Sequence, residues 1–437
     1  MRPKEYVLLT FIAAISIAAG VFYSSQPLAA YLTSTAMESL RLMAIMAWET
    51  WWALVLGFTV AGAVEAWVSK EAIAEVLEGR GPKEVLTGSF FGFISSSCSF
   101  SAIATAKNLF KKGASAVSSL AAFMFASTNL VIEIGLVMWV LLGWQFVAAN
   151  FLGGFILITV MSLMFIFLVP DDIIENARQN VIRNEGKTAT DPVCGMDVDM
   201  EECDNTIEHE GKMYYFCSEH CMNNFDPEEH TERGILENMT TLKGWKTLAD
   251  KQLKEWNMLY EDIIVGFVLA GIIGAFVPNQ VWLSLFGGEF LGLPLFVLWT
   301  AALGAIIGVL TFVCSVGNVP FAAILWGNGL PFGSVLSYIY ADLIVPPIMD
   351  AYRKYYGKKF AVILSGLIFT AAVVTGFIIH FTFLGTNLIP EATSSFVERT
   401  IELNYKAYLN VFFLPVFLAL YYIHKTDTSE NDHGAHI

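Results

Sequence analysis

Long apolar stretches alternate with short polar turns along this chain, and one polar interruption runs from about 171 to 262. Most stretches hold about 20 residues with few or no charges, the length that crosses a hydrocarbon core of roughly 30 Å. The pattern predicts spans at about 6–23, 42–68, 145–169, 260–277, 360–384 and 406–423, and about ten hydrophobic segments in all. Such a chain is an all-α polytopic membrane protein, and the pattern excludes a soluble enzyme. The first stretch follows Arg2 and Lys4 as a signal peptide would, but no small-residue cleavage site precedes Ser24 and more apolar segments follow, so it reads as a retained span.

Lysine and arginine in the short loops set the expected sidedness. Residues 24–39 carry neither and belong outside. Lys70, Arg80 and Lys83 belong inside, as do Lys243, Lys246, Lys251 and Lys254 after the polar interruption and Arg353, Lys354, Lys358 and Lys359 near the end.

The apolar text is duplicated. SFFGFISSSCSFSAIATAKNLF aligns without gaps on AIIGVLTFVCSVGNVPFAAILW at an offset that puts Gly92 on Gly308, Gly113 on Gly329, Ser118 on Ser334 and Leu120 on Leu336. Upstream, Leu56 to Val68 aligns with Val265 to Val277. The span ending in the first copy runs inward and its partner runs outward, so the expected architecture is two inverted repeats. Inversion requires a segment that breaks near each cysteine and returns to its own side. Ser95, Ser96, Ser97, Asn129, Gly317, Pro320 and Pro346-Pro347 are the expected interruptions. Two ordinary full spans at these places would instead give parallel repeats and an external insert.

Net charge is −15, yet residues 171–262 contain 22 acidic and 9 basic side chains, so nearly all of that charge belongs to the insert. The acidity argues against nucleic acid as a partner. Leu242 to Tyr260 has apolar residues at helical spacing with lysines between, which fits a helix on the inner leaflet or a linker helix packed on the insert.

Six cysteines divide between two places. Cys98 and Cys314 occupy the same position in the two repeats, each followed by a serine (Ser99, Ser315), while Cys194, Cys203, Cys217 and Cys221 lie in the insert. A thiolate selects Cu(I), Hg(II), Zn(II) and similar soft centres, and trivalent arsenic shares that chemistry. Two thiols suit a linear metal or an arsenical that already bears one carbon substituent. The competing reading of each cysteine is a small packing residue; the symmetric recurrence favours a substrate site between the repeats. Asn129 and Asn318 are candidate lining amides. Asp342, before a helix break, and Glu133 are candidate proton-coupling groups, because intramembrane carboxylates are costly and mark pathways. Glu65 and Asp350 fall at span ends.

DPVCGM (191–196) followed by YYFCSEHC (214–221) and a Phe resembles the YHS domain, a small module found beside heavy-metal transporters. The resemblance implies that Cys194, Cys217 and Cys221 hold a metal ion, Zn or Cu. Cys217 and Cys221 are one helical turn apart if that segment is helical, so both can reach one ion. The membrane part, through the Cys-Ser break, KKGASAVSSLAAFMFASTN, GLPFGSVLSYIYADLIVPP and the duplicated GF-x-x-AG, resembles the predicted permeases that include the organoarsenical exporters. That resemblance implies efflux of a trivalent organoarsenical or related thiophile, with Cys98 and Cys314 as ligands. The inserted module widens the expected cargo to a soft heavy-metal ion.

The sequence therefore predicts residues 1–170 as an N-terminal membrane half, 188–232 as a small α+β cytoplasmic YHS module, 233–258 as an amphipathic linker, 259–424 as a C-terminal membrane half and 425–437 as a polar tail. Both termini are expected in the cytoplasm and the chain in the inner membrane, with lipid, the soft cargo and a cytosolic metal carrier as partners. No ATP-binding motif is present, and no enzymatic activity is expected. Two rival functions remain at this level: a membrane thiol oxidoreductase, and a membrane-anchored metal sensor working through the insert.

Overall fold

The computed structural model describes residues 3–24, 27–67, 81–95, 99–111, 113–184, 188–192, 197–200, 203, 205–209, 212–216, 218, 221–222, 225, 241–287, 292–311, 315–391 and 405–434. The first half runs α1 (Pro3–Tyr23), α2 (Leu28–Trp67), α3 (Pro82–Ser95), α4 (Ser99–Lys111), α5 (Val117–Asn129), α6 (Ile132–Leu141), α7 (Trp144–Leu168) and α8 (Asp171–Asn184). The insert contributes β1 (Thr188–Thr190), β2 (Asp197–Asp199), β3 (Thr206–His209) and β4 (Lys212–Tyr215), paired as two antiparallel two-stranded sheets. The second half runs α9 (Leu242–Phe276), α10 (Asn279–Phe286), α11 (Leu293–Thr311), α12 (Ser315–Gly327), α13 (Phe332–Ile344), α14 (Pro346–Tyr356), α15 (Lys358–Gly385) and α16 (Tyr405–Gly434).

Among the described residues, five helices are long and apolar enough to cross a bilayer, and the number rises to eight if each of three sharply bent pairs counts as one span. The protein is thus an all-α polytopic membrane protein, and among the described residues its strands lie in the insert.

Positions 216 apart share local geometry as well as sequence. α4 and α12 begin and end at equivalent residues, and α3 and α11 end at equivalent residues. The α5–α6 pair bends by 47° and the α13–α14 pair by 45°. The four described glycines with positive φ pair up: Gly113 (+113°) with Gly329 (+93°) at that offset, and Gly143 (+97°) with Gly357 (+87°) two residues short of it. The second set starts α7 and α15, where a left-handed residue lets the chain turn back into a long helix. α2 packs along α9, and α7 along α15, repeat partner against repeat partner.

Helix crossings within each half rest on backbone contact. A Cβ on Gly88 of α3 would meet the Ser118 carbonyl of α5; a Cβ on Gly304 of α11 would meet the equivalent Ser334 carbonyl of α13. Gly92 and Gly308 repeat the arrangement one turn on, against the carbonyls of Phe123 and Tyr338. Small residues at such crossings let helices approach closely where lipid supplies no hydrophobic drive between them.

Three expectations need correction. Residues 28–39, expected as part of an external loop, are the start of the 40-residue α2, because nothing after Pro27 breaks a Leu-, Ala- and Met-rich run and Pro27 precedes a helix start comfortably. Residues 233–240 lie outside the described residues, and from Leu242 onward the expected linker and the following span form one continuous α9. Its polar first half packs on α2 and α16: Gln252 Nε2 donates to Thr59 Oγ1 at 2.8 Å, and Leu248 and Ala249 cluster with Leu420. Third, Pro320 and Gly317 do not interrupt α12, whose residues 315–325 are all buried; packing on every side outweighs the local penalty of a proline. By contrast α5 ends at Asn129, and α14 starts at Pro346, as the sequence implied.

The last helix, α16, is fastened to α2 inside the apolar zone. The Asn410 carboxamide accepts from the Trp52 amide (3.0 Å) and donates to the Trp48 carbonyl (2.6 Å), and the half-buried Lys406 pairs with the buried Glu49 at 3.2 Å.

Replacing Gly304 with Val should lower the thermal unfolding midpoint in detergent by an overpacking cost of about 1–3 kcal/mol. Gly366→Ala, at an α15 position with open space around it, should leave the midpoint unchanged or raise it.

Candidate functional site

Ser99 is the first residue of α4 and Ser315 the first residue of α12, so each serine stands where a helix begins. The two hydroxyls lie 3.3 Å apart, which makes this a direct contact between the two halves at symmetry-equivalent residues. The Ser315 hydroxyl also donates to the Asp342 carboxylate.

Asp342 reaches this place because α13 tightens into a 3₁₀ turn over Ala341–Ile344 before the bend at Pro346. It is 2% exposed. Its other carboxylate oxygen faces the Asn129 amide at 3.5 Å, and that amide also donates to Thr128 Oγ1 at 3.0 Å. Asn129 occupies the end of α5, just before the matching bend in the first half. The polar cluster is therefore assembled from two helix starts and two helix ends. In the membrane interior such sites are where backbone groups released from the helical ladder can be re-satisfied by side chains. Among the described residues no lysine, arginine or histidine forms an ion pair with Asp342.

The cluster extends through Asn150, Tyr338 and Tyr340, which the sequence did not single out. Asn150 of α7 donates to the Asn129 carbonyl at 2.8 Å, and the Tyr340 hydroxyl donates to the Asn150 carbonyl at 2.9 Å. Asn318 of α12 accepts from the Tyr338 hydroxyl at 2.8 Å. Asn150 is fully buried within an otherwise apolar span, and the two tyrosines fall two and four residues before Asp342. An amide in mid-span was the signal that could have identified Asn150. Three polar atoms here are buried without a hydrogen-bond partner: Asn129 Oδ1, Asn150 Oδ1 and Asn318 Nδ2. Buried groups of this kind stand out, since most find partners.

Glu133 sits one turn beyond Asn129 on α6, buried, with its Cα and side chain against the place where a Cβ on Gly57 of α2 would be. Lys107, also buried, lies 4.8 Å from the centre of the Tyr355 ring. Asp350 is taken up by Arg353 (2.6 Å) and Lys354 (3.3 Å) on its own helix, a local surface network. Cys98, Cys314 and the Glu65 side chain lie outside the described residues.

In the insert, Phe216 is fully buried, with ring contacts from Phe225 to Phe216 (5.2 Å) and to Tyr214 (4.7 Å). Cys221 is buried beneath the turn that its amide makes with Ser218 Oγ at 3.2 Å. The Cys203 thiol donates to the carbonyls of Phe216 (3.2 Å) and Asn205 (3.3 Å), which ties β3 to the end of β4 and gives this sulfur a structural task. Cys194 and Cys217 lie outside the described residues. Among the described residues no three His, Cys, Asp or Glu side chains gather as a metal site would require.

A bundle of bilayer-length helices, with a buried polar cluster where its two halves touch, is the form of a multi-pass membrane transporter rather than an enzyme. The comparison with known proteins agrees. The family model described as "Predicted permease" matches residues 35–381, and the chain belongs to that family. The Mycobacterium tuberculosis protein called "Putative permease Rv2963" is 36% identical over 358 residues, which cover 81% of this chain and 79% of that one. No solved structure matches. The matched region takes in most of both halves and the insert, and leaves α1 and the whole of α16 flanking it.

Tyr340→Phe removes one hydroxyl and keeps the ring's shape. It should lower stability by about 0.5–1.5 kcal/mol, read as a reduced unfolding midpoint, whereas Tyr408→Phe, at a side chain 70% exposed, should not.

Proposed function

We propose that this permease exports a thiophilic species, a trivalent organoarsenical or a soft heavy-metal ion, through a site between its two halves. Cys98 and Cys314 supply the sulfur ligands; Ser99, Ser315, Asn129 and Asn318 line the site. The observation that carries the reading is the 3.3 Å contact between Ser99 and Ser315. Each serine is joined by one peptide bond to the cysteine in question. Convergence of the serines from equivalent positions supports convergence of the thiols. Soft thiolates match the cargo, and the oxygen- and amide-rich neighbourhood supplies polarity.

The two halves act as inverted repeats that rock against one another and expose the site to each side in turn. The matched bends of 47° and 45° and the shared glycine conformations support one ancestral unit used twice. In this orientation the insert is a cytoplasmic YHS module, and Cys194, Cys217 and Cys221 hold a zinc or copper ion that a cytosolic carrier delivers. Asp342 carries the coupling proton, and Glu133 assists. A buried carboxyl with hydroxyl and amide neighbours, and no cationic partner among the described residues, is suited to gain and lose a proton as the halves move.

The test is uptake into everted vesicles of Cu(I), Zn(II), Hg(II), arsenite and methylarsenite. The chain carrying both Cys98→Ser and Cys314→Ser should reach the membrane in normal amount and lose uptake of whichever thiophile the native chain moves. Undiminished uptake by that variant would remove the thiol site. Asp342→Asn should reduce uptake driven by a proton gradient at least tenfold, the scale expected when a proton-carrying group is lost, while substrate exchange at equal concentrations on both sides continues. Gradient-driven uptake unaffected by this change would take Asp342 out of the coupling.

A further inference from the structure

A cavity of about 190 Å³ opens between α8 and the junction of α14 with α15. Ile173, Ala177 and Asn180 wall it from α8, and Tyr356, Lys358 and Lys359 from the other side. Its depth in the membrane follows from the helices around it. α7, a bilayer-long helix, ends at Leu168, two residues before α8 begins, and the equally apolar α15 starts at Lys358. One span ends and another starts beside the same opening, so the cavity lies at the edge of the hydrocarbon region.

The surrounding cations are unequal in what they have to bind. Arg353 and Lys354 are held by Asp350, at 2.6 and 3.3 Å. Arg183 donates to Asn180 Oδ1 at 3.1 Å. Arg178 donates to the Ala114 carbonyl at 3.1 Å and lies over the Phe110 ring at 4.6 Å, with Glu175 3.8 Å away. Lys358 and Lys359 are exposed and form no ion pair among the described residues. They also occupy the first turn of a 28-residue helix, the end whose free amides already carry partial positive charge. Two ammonium groups at that end repel it and each other, and an anion between them relieves both. The carboxylates on the same side, Asp171, Asp172 and Glu175, are on the exposed face of α8, whereas Ile173 and Ala177 turn toward the cavity.

We propose that this cavity binds the headgroup of an anionic phospholipid. The phosphate sits between Lys358 and Lys359, and the glycerol and first acyl carbons lie against Ile173 and Ala177. A wall holding Ile173, Ala177 and Phe360 beside two lysines fits an amphiphile better than a free anion, and basic pockets between spans take such headgroups. The occupant would also bridge α8 to α15, joining the end of the first half to the second.

The full-length protein in mild detergent, titrated with phosphatidylglycerol and followed by native mass spectrometry, should retain the lipid. The Lys358→Gln, Lys359→Gln double variant should bind it about thirtyfold more weakly, given the usual contribution of two basic groups near a membrane. Asn176→Trp, at an exposed lining position, keeps both lysines but fills the mouth and should also weaken retention. Phosphatidylcholine should bind native and variant chains alike. Equal phosphatidylglycerol affinity in native chain and both variants overturns the site. A thermal shift from inorganic phosphate in phosphatidylcholine micelles as large as that from phosphatidylglycerol overturns the lipid assignment in favour of a free-anion site.

Discussion

The contact on which the rest of the membrane part depends is the meeting of two helix starts, Ser99 and Ser315. Helix termini carry backbone groups that the helix cannot satisfy, and hydrocarbon offers them nothing. Bringing two such termini together, with a carboxyl and carboxamides around them, turns a liability of each half into a shared polar interior. The glycine crossings at Gly88, Gly92, Gly304 and Gly308 make this possible, because they draw α3 against α5 and α11 against α13 at backbone distance.

The two halves are alike in backbone and unlike in chemistry. Asp342, Tyr340 and Tyr338 correspond in the first half to Ala126, Met124 and Ala122, and Asn318 corresponds to Ala102. The first half adds Asn129 and, from α7, Asn150. The two halves thus share a backbone pattern while each buries its own ionisable groups, Asp342 in the second and Glu133 and Lys107 in the first.

Much of this was legible in the linear text. Apolar length identified the spans at 145–169 and 360–384 almost to the residue, because nothing else places 25 uncharged residues in a row. Asn129 and the Pro346-Pro347 pair marked real helix ends, since an amide and paired prolines act locally. Pro320 misled because its effect is decided by packing around α12 that no local pattern records. The start of α2 was misplaced because the absence of positive charge reports on sidedness, not on whether the chain is helical. Asp342 was visible as a charge in an apolar run. Its hydroxyl partner on another helix was not, since the Ser315–Asp342 bond spans 27 residues and a change of direction. Asn150 and Tyr340 joined the cluster only in three dimensions, through backbone carbonyls that no side-chain motif encodes.

The Asn410 carboxamide, set between the Trp48 carbonyl and the Trp52 amide, has a mechanical consequence. These are the partners that a helical ladder joins four residues apart, and a side chain from elsewhere in the chain has claimed a share in their bond. Together with Lys406 on Glu49 it makes α2 and the terminal helix a single strut. Withdrawing that helix would bare polar backbone to acyl chains, so α16, though it lies wholly past the matched family region, is a structural member of the bundle and not a trailing appendage.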